Sequence, residues 1–201
     1  MPGTILGMTG GIDSATLLFR LLSEGSGVDA VFVDYGQPSK ERDLASAAVV
    51  LAKAKKIFGR PVHLRTIRLA SIPFDQDGLS PMTQFGTVIV SVLASIAVGS
   101  KADRIGCGAR IDTTPEGFDM AANRLVQTAA PRAQVGVLWP FASKTKEDVI
   151  RQAFALGVPF RWTWSCQAKG QKHCGMCRGC KARRHGFKMA GLVDPTEYKV
   201  Q

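Results

Sequence analysis

An apolar strand over residues 4–8 runs into the turn Thr9-Gly10-Gly11-Ile12-Asp13-Ser14, and a helix follows over 14–23. This order of strand, glycine turn and helix constrains the fold more than any other feature. A second apolar strand over 30–34 follows the turn at 23–27, so the opening is a βαβ unit whose strands are expected to be parallel. The turn offers backbone N–H groups and the positive helix end to an anion, and Gly10 and Gly11 let backbone approach phosphate closely. A glycine pair also suits a purely structural βα turn. Asp13 and Ser14, a carboxylate and a hydroxyl at the helix start, suit Mg²⁺ and pyrophosphate as well as an ordinary first turn. Neither the Walker spacing nor a dinucleotide G-x-G-x-x-G is formed.

The alternation continues. A long alanine-rich helix is expected over 39–58, with Leu44, Ala47, Ala48, Leu51, Ala52 and Ala54 as its sheet-facing side, and a strand over 62–67. Residues 70–85 read as a long loop over the strand ends, followed by a buried helix over 87–99. Then come a strand over 104–107, a polar loop over 111–117, a helix over 118–129 and a strand over 135–139. Thr145 and Asp148 form a capping box for a helix through Ala155, which Gly157 and Pro159 end. The expected fold is α/β, a doubly wound parallel five-stranded sheet whose ligands sit beyond the carboxyl ends of the strands.

Near the C-terminus, Cys166, Cys174, Cys177 and Cys180 form a C-x₇-C-x₂-C-x₂-C cluster. Four thiolates suit a closed tetrahedral Zn²⁺ site with a structural role, an iron–sulfur cluster being the alternative. His173 beside a ligand is expected to support the site rather than join it. The fifth cysteine, Cys107, reads as a small buried residue. The chain opens without a secretory leader, and no stretch approaches the roughly 18 apolar residues of a membrane span, so a cytoplasmic protein without membrane contact is expected, its thiols reduced. With 201 residues and 45% hydrophobic content the chain suits one compact unit. A phosphate-binding part, 1–160, and a zinc-binding tail, 161–201, packed on it are expected. The net charge of +10 draws it toward phosphates. Much of the excess lies in Lys169, Lys172, Arg178, Lys181, Arg183, Arg184 and Lys188, either a solvated rim or an RNA-facing patch. Trp162 and Trp164 alternate as either stacking partners for a base or core residues.

The S/T-G-G-x-D-S turn after a strand resembles the PP-loop ATP pyrophosphatases (adenine nucleotide alpha hydrolase-like). Val33-Asp34-Tyr35-Gly36-Gln37 with Lys40 and Glu41, the Thr145-Lys146-x-Asp148 segment, Trp164-Ser165-Cys166, and His173-Cys174-Gly175-x-Cys177-x-x-Cys180 with Arg183 resemble one branch, the 7-cyano-7-deazaguanine synthases of QueC type. The resemblance implies that 7-carboxy-7-deazaguanine is adenylated by ATP, that ammonia gives the amide, and that a second ATP leads to the nitrile. It implies ATP contacts from Met8, Thr9, Gly10, Gly11, Ile12, Asp13 and Ser14 and from backbone at Phe32, Val33 and Asp34. Asp13, Ser14 and Lys146 are the implied catalytic groups around Mg²⁺ and the phosphates. A homodimer is the expected assembly.

The synthases carry arginine-containing segments of the Pro-Gly-Arg-Asn and Tyr-Pro-Asp-Cys-Arg kinds. Here the corresponding stretches read Pro81-Met82-Thr83-Gln84-Phe85-Gly86 and Ile111-Asp112-Thr113-Thr114-Pro115-Glu116-Gly117-Phe118, without arginine. Gln84, Phe85, Arg110 and Trp164 are the candidate substrate contacts, with Arg124 a further possible replacement. Three alternatives stay open: a relative that adenylates another acid or joins a deazaguanine to a nucleic acid or protein, a tRNA-modifying PP-loop enzyme, and a zinc-dependent nucleic-acid module.

Overall fold

The computed structural model describes residues 3–69, 81–110, 117–129, 131 and 135–199, with side chains 81–85, 119 and 129 left aside. Twelve elements follow in order: β1 (Gly3–Gly7), α1 (Ile12–Ser23), β2 (Gly27–Asp34), α2 (Lys40–Phe58), β3 (Val62–Arg68), α3 (Pro81–Ser100), β4 (Arg104–Gly106), α4 (Phe118–Ala129), β5 (Gly136–Leu138), α5 (Lys146–Ala155), a 3₁₀ turn (Phe160–Trp162) and α6 (Arg178–Ala190). The five strands are parallel in the order β3-β2-β1-β4-β5. The chain winds outward from β1 through β2 to β3, then returns to place β4 on the other side of β1. The crevice opens where that direction reverses, at the carboxyl ends of β1 and β4.

Both faces of the inner strands are covered, so they read as continuous apolar runs. Leu6 and Ala30 face one core with Leu17, Leu18 and Leu21 of α1, Ala47, Val50, Leu51 and Ala54 of α2, and Val149 and Ile150 of α5. Ile5, Val31 and Val33, one residue out of phase, face the other with Val90, Leu93 and Ala97 of α3 and Ala122 and Val126 of α4. In α2 the buried stripe is thus 47, 50, 51 and 54, while Ala48 and Ala52 are exposed. Alanine content misled there, because a 3.6-residue period anchored at Ala47 turns 48 and 52 outward. The third helix begins at Pro81, earlier than the expected 87; residues 70–80 and 111–116, which hold most of the two expected loops, lie outside the described residues.

The capping box of α5 is formed. The Asp148 N–H donates to Thr145 Oγ1 at 3.4 Å, and the Thr145 N–H donates to Asp148 Oδ2 at 3.1 Å. Helix α6 was not foreseen. Among the described residues no helix is long and apolar enough to cross a membrane.

Candidate active site and four-cysteine centre

A cavity of about 310 Å³ lies at the carboxyl ends of the strands, within the size range of small-molecule sites. Its floor is the turn between β1 and α1. Ser14, almost fully buried, ties this turn together: its Oγ accepts from the Thr9 N–H at 3.2 Å and donates to Gly11 O at 3.2 Å. Helix α1 has Gly11 as N-cap and no side-chain cap hydrogen bond, so its first N–H groups keep their capacity for an anion. Gly10 has φ +74°, and a Cβ there would strike Asp43 O and the Ala47 N of α2. Glycine is required at this position by the closeness of α2, whereas Gly11 lines the cavity.

Two cations from distant parts of the chain meet Asp13. Lys146 Nζ donates to Oδ1 at 2.7 Å, and Arg110 Nε lies 3.5 Å from Oδ2. The Lys146 side chain is 10% exposed and that of Arg110 3%, so both charges are held against one carboxylate in a desolvated wall. Burial lowers the Lys146 pKa, Asp13 opposes that shift and Arg110 adds to it. The ammonium therefore depends on Asp13. Lys146 reaches the cavity because Gly186 of α6 leaves room for its stem: a Cβ on Gly186 would lie 2.6 Å from Lys146 Cγ and 2.8 Å from Ile150 Cδ1. Gly186→Ala is accordingly expected to cost about 1–3 kcal/mol through overpacking and to displace Lys146. Thermal denaturation should show a Tm several degrees lower, with activity reduced even at temperatures where the variant is fully folded.

The C-terminal tail supplies another wall. The Trp164 N–H donates to Gly10 O at 2.9 Å, docking the tail on the turn, and Ser165, Cys166, Gln167 and Arg178 also line the cavity. Trp164 is 8% exposed, its indole N–H donates to Cys166 O at 2.8 Å, and its ring packs on His173. Trp162 ends the 3₁₀ turn instead, 46% exposed with Lys53 over its ring. The two tryptophans do not share a face, because a 3₁₀ turn lacks the two-residue alternation of a strand.

The Sγ atoms of Cys166, Cys174, Cys177 and Cys180 all lie within 4.8 Å of one another, so the group could hold a metal ion. Sulfur pairs Cys174–Cys180 and Cys166–Cys177 stand 3.9 and 4.0 Å apart. These spacings are near the ~3.8 Å edge of a tetrahedron built on ~2.3 Å metal–sulfur bonds and far from a disulfide. Backbone N–H groups of Cys174 and Cys177 donate to Cys166 Sγ and Cys174 Sγ, both at 3.3 Å, the arrangement that thiolates need. His173 is no ligand: its Nε2 accepts from the Ser165 N–H at 3.1 Å, and burial lowers its pKa to about 4. Arg183 is fully buried, with Nε donating to Asp194 at 3.0 Å and Nη1 to Thr163 Oγ1 at 2.8 Å. It therefore belongs to the core of the tail and not to a solvated rim or an RNA-facing patch.

A family model described as "Queuosine biosynthesis protein QueC" matches residues 3–72 and 85–191. The chain belongs to the QueC family. Its relatives named 7-cyano-7-deazaguanine synthase include one from Methanoculleus marisnigri, 27% identical with 96% of each chain covered. Another, from Thermoplasma acidophilum, is 33% identical, with 96% of this chain and 90% of the relative covered. Among solved structures, NMN synthetase from Francisella tularensis superposes with a TM-score of 0.56 at 15% identity, covering 96% of this chain and 78% of that one. The U34-tRNA thiolase NcsA from Methanococcus maripaludis with its [4Fe-4S] cluster gives 0.54 at 13%, covering 100% and 78%. These two likenesses concern the fold, which is that of PP-loop enzymes.

Of the residues singled out in this QueC-family sequence, Met8, Thr9, Gly11, Ile12, Asp13, Ser14, Val33, Arg110, Lys146, Trp164 and Cys166 line the cavity. Phe32 lies in the core, and Asp34 is occupied by its own turn, accepting from the Gly36 N–H at 3.0 Å and pairing with Lys40 at 3.4 Å. Arg124 is exposed on α4; the side chains of Gln84 and Phe85 lie outside the described residues. Cys107 is buried against the cavity, and burial pushes its thiol up to about 12, as suits a small apolar residue.

The sequence reading missed Asp43, a cavity-lining residue in the first turn of α2 that looked like an ordinary helix-start carboxylate. Burial raises its pKa from 3.8 to about 7, against the lowering effect of the Ser39 hydroxyl. The native state thus keeps a proton between about pH 4 and 7 that the unfolded chain releases, so stability falls as pH rises through that window. Asp43→Asn removes this loss. Its Tm relative to the parent protein is expected to rise by a few degrees from pH 5 to pH 8, as thermal denaturation at the two pH values would show.

Proposed function

We propose that the protein converts 7-carboxy-7-deazaguanine and ammonia to 7-cyano-7-deazaguanine at the expense of ATP. The observation that carries this reading is the uncapped start of α1 facing one cavity with Asp13, Lys146 and Arg110, in a chain of the QueC family. A carboxylate is a poor electrophile with a poor leaving group. Attack of its oxygen on the α-phosphorus of ATP forms the acyl adenylate and releases pyrophosphate. Ammonia then displaces AMP to leave the amide, and a second ATP activates the amide oxygen, so that loss of AMP and two protons leaves the nitrile.

In this reading the turn from Met8 to Ser14 and the N–H groups of α1 receive the pyrophosphate leaving in each activation, where preorganised dipoles act most strongly. Lys146 offers its ammonium to the same phosphates, Arg110 steers the substrate carboxylate, and Val33 borders the adenine. Asp13 and Ser14 would hold Mg²⁺, which supplies charge neutralisation of the phosphates. The four cysteines would hold Zn²⁺: a closed set of four converging thiolates, all within 4.8 Å of one another, fits a structural ion that fastens residues 161–201 to the ATP-binding part.

The test is pyrophosphate release from ATP with Mg²⁺ and ammonium, with and without 7-carboxy-7-deazaguanine, followed by mass spectrometry of the base. Acid-dependent release with successive amide and nitrile masses is expected. Release that requires a different acid, or an RNA, would overturn the substrate while leaving ATP use in place.

A further inference from the structure

The cavity is polar on both sides of the β1 turn, but with opposite sign. Strands β2 and β4 flank β1, so the loops that follow them reach the cavity from opposite sides, roughly 10 Å apart at about 4.8 Å per strand. Arg110 comes from the β4 side, and Lys146 stands with it against Asp13. From the β2 side come Gln37, Ser39 and Asp43. The Gln37 amide is spent on its own loop, with Oε1 accepting from the Tyr35 N–H at 3.0 Å and Nε2 donating to Val33 O at 3.3 Å. Ser39 Oγ donates to Asp43 Oδ2 at 2.8 Å and so holds that oxygen in place. The second acceptor system of the cavity, Asp43, is therefore held by a neighbouring donor and borders the space where a ligand sits. Trp164 borders the same space, over the Gly10 turn that packs against Asp43.

A carboxylate in a ligand wall calls for a ligand edge made of donors. The adenine of ATP presents a ring acceptor beside a single amino group and does not match two carboxylate oxygens. A 2-amino-4-oxopyrimidine ring presents a ring N–H and an exocyclic amine side by side, which do. We infer that Asp43 is the residue that selects the base, its carboxylate accepting from the ring N1–H and the 2-amino group of the 7-deazaguanine. This rests on the substrate proposed above. Above about pH 7, where Asp43 is ionised, the same charge sets the orientation: Asp43 repels the acid group of the substrate, which must then turn toward Arg110 and Lys146, where activation takes place. An arrangement with attraction at one end and repulsion at the other discriminates by both routes.

The experiment compares kcat/KM for 7-carboxy-7-deazaguanine and for its analogue lacking the 2-amino group, in the full chain as purified and in Asp43→Asn. The parent protein should prefer the amino-bearing acid by at least ~10²-fold, because the analogue leaves a wall carboxylate unpaired. In Asp43→Asn that preference should collapse to within ~10-fold, through loss on the natural acid rather than gain on the analogue, with the KM for ATP unchanged. Ser39→Ala, which removes only the orienting hydroxyl, should move the ratio in the same direction by a smaller factor and covers the case in which Asp43→Asn does not fold. A preference that survives both substitutions overturns the inference. So does a rise in the KM for ATP with the preference intact, which would assign Asp43 to the ribose. Should the parent protein turn over neither acid, the substrate proposal fails separately. Calorimetric binding of 7-deazaguanine against its 2-desamino form then still decides whether Asp43 reads the edge: an affinity ratio that Asp43→Asn erases upholds it, and equal affinities overturn it.

Discussion

Lys146→Met is expected to lower kcat for acid-dependent pyrophosphate release by about 10²–10³-fold, the usual cost of removing one preorganised group from a developing charge, while the protein remains folded. Methionine keeps most of the stem volume in the channel that Gly186 leaves open beside Ile150, so the packing of α5 on α6 survives. Arg110 still stands 3.5 Å from Asp13, so the carboxylate is not left alone in the wall. What is lost is the ammonium 2.7 Å from Asp13 Oδ1. Because the pyrophosphate gains charge as it leaves, kcat should fall more than the KM for ATP rises. Lys146→Arg is not expected to restore activity, since the wider guanidinium must enter the same channel. Asp13→Asn should cost at least as much: burial and Arg110 both disfavour the charged lysine once its carboxylate partner is gone. A Lys146→Met enzyme with unchanged kcat would remove Lys146 from the phosphates and leave it a structural ion-pair partner.

Much of this site was legible because its signals are local. The glycine turn, the Asp13-Ser14 start of α1 and the Thr145–Asp148 box are set by residues a few positions apart, and the structure contains all three. The thiolate spacing is equally local, and the four sulfurs do converge. Contacts between residues far apart in sequence were not legible. The family resemblance placed Lys146 and Asp13 in one site, but nothing in the chain tells that they form a direct ion pair, that Trp164 docks on Gly10, or that Gly186 is the space into which a lysine stem fits. Helix α6 escaped for a related reason. Its inner face consists of Cys180, Arg183, Gly186 and Phe187, so that Phe187, packed into the core and on Phe160, is the one large apolar side chain on it, and the rest of the face rests on sulfur and on the Arg183–Asp194 pair. Asp43 was passed over because a first-turn carboxylate satisfies the helix dipole whether or not it also faces a ligand.

Cys180→Ser should abolish metal binding at the four-cysteine group and open the tail, with activity lost as a consequence. The thiol is fully buried and sits in the first turn of α6, whose N-cap is Cys177, so two of the four sulfurs fix where that helix starts. Cys166 would tie the same ion to the segment that carries Trp164 and Ser165 to the cavity. A structural zinc contributes on the order of 10–16 kcal/mol to the folding of small zinc domains, far more than the Arg183–Asp194 pair and the Phe160–Phe187 contact can replace. Loss of the ion should therefore free α6 from α5 and take away the backing of Lys146. Elemental analysis should give about one zinc per parent chain and close to none in Cys180→Ser, and hydrogen exchange should rise over 160–198 while β1 and β2 stay protected. Pyrophosphate release should fall together with the exchange protection, because one displacement causes both. A metal-free variant with full protection and full turnover would reduce the cysteines to bystanders. A strong visible charge-transfer band with iron in place of zinc in the parent protein would replace the zinc by an iron–sulfur cluster, while keeping the mechanical link from Cys180 through α6 to Lys146 open to the same exchange measurement.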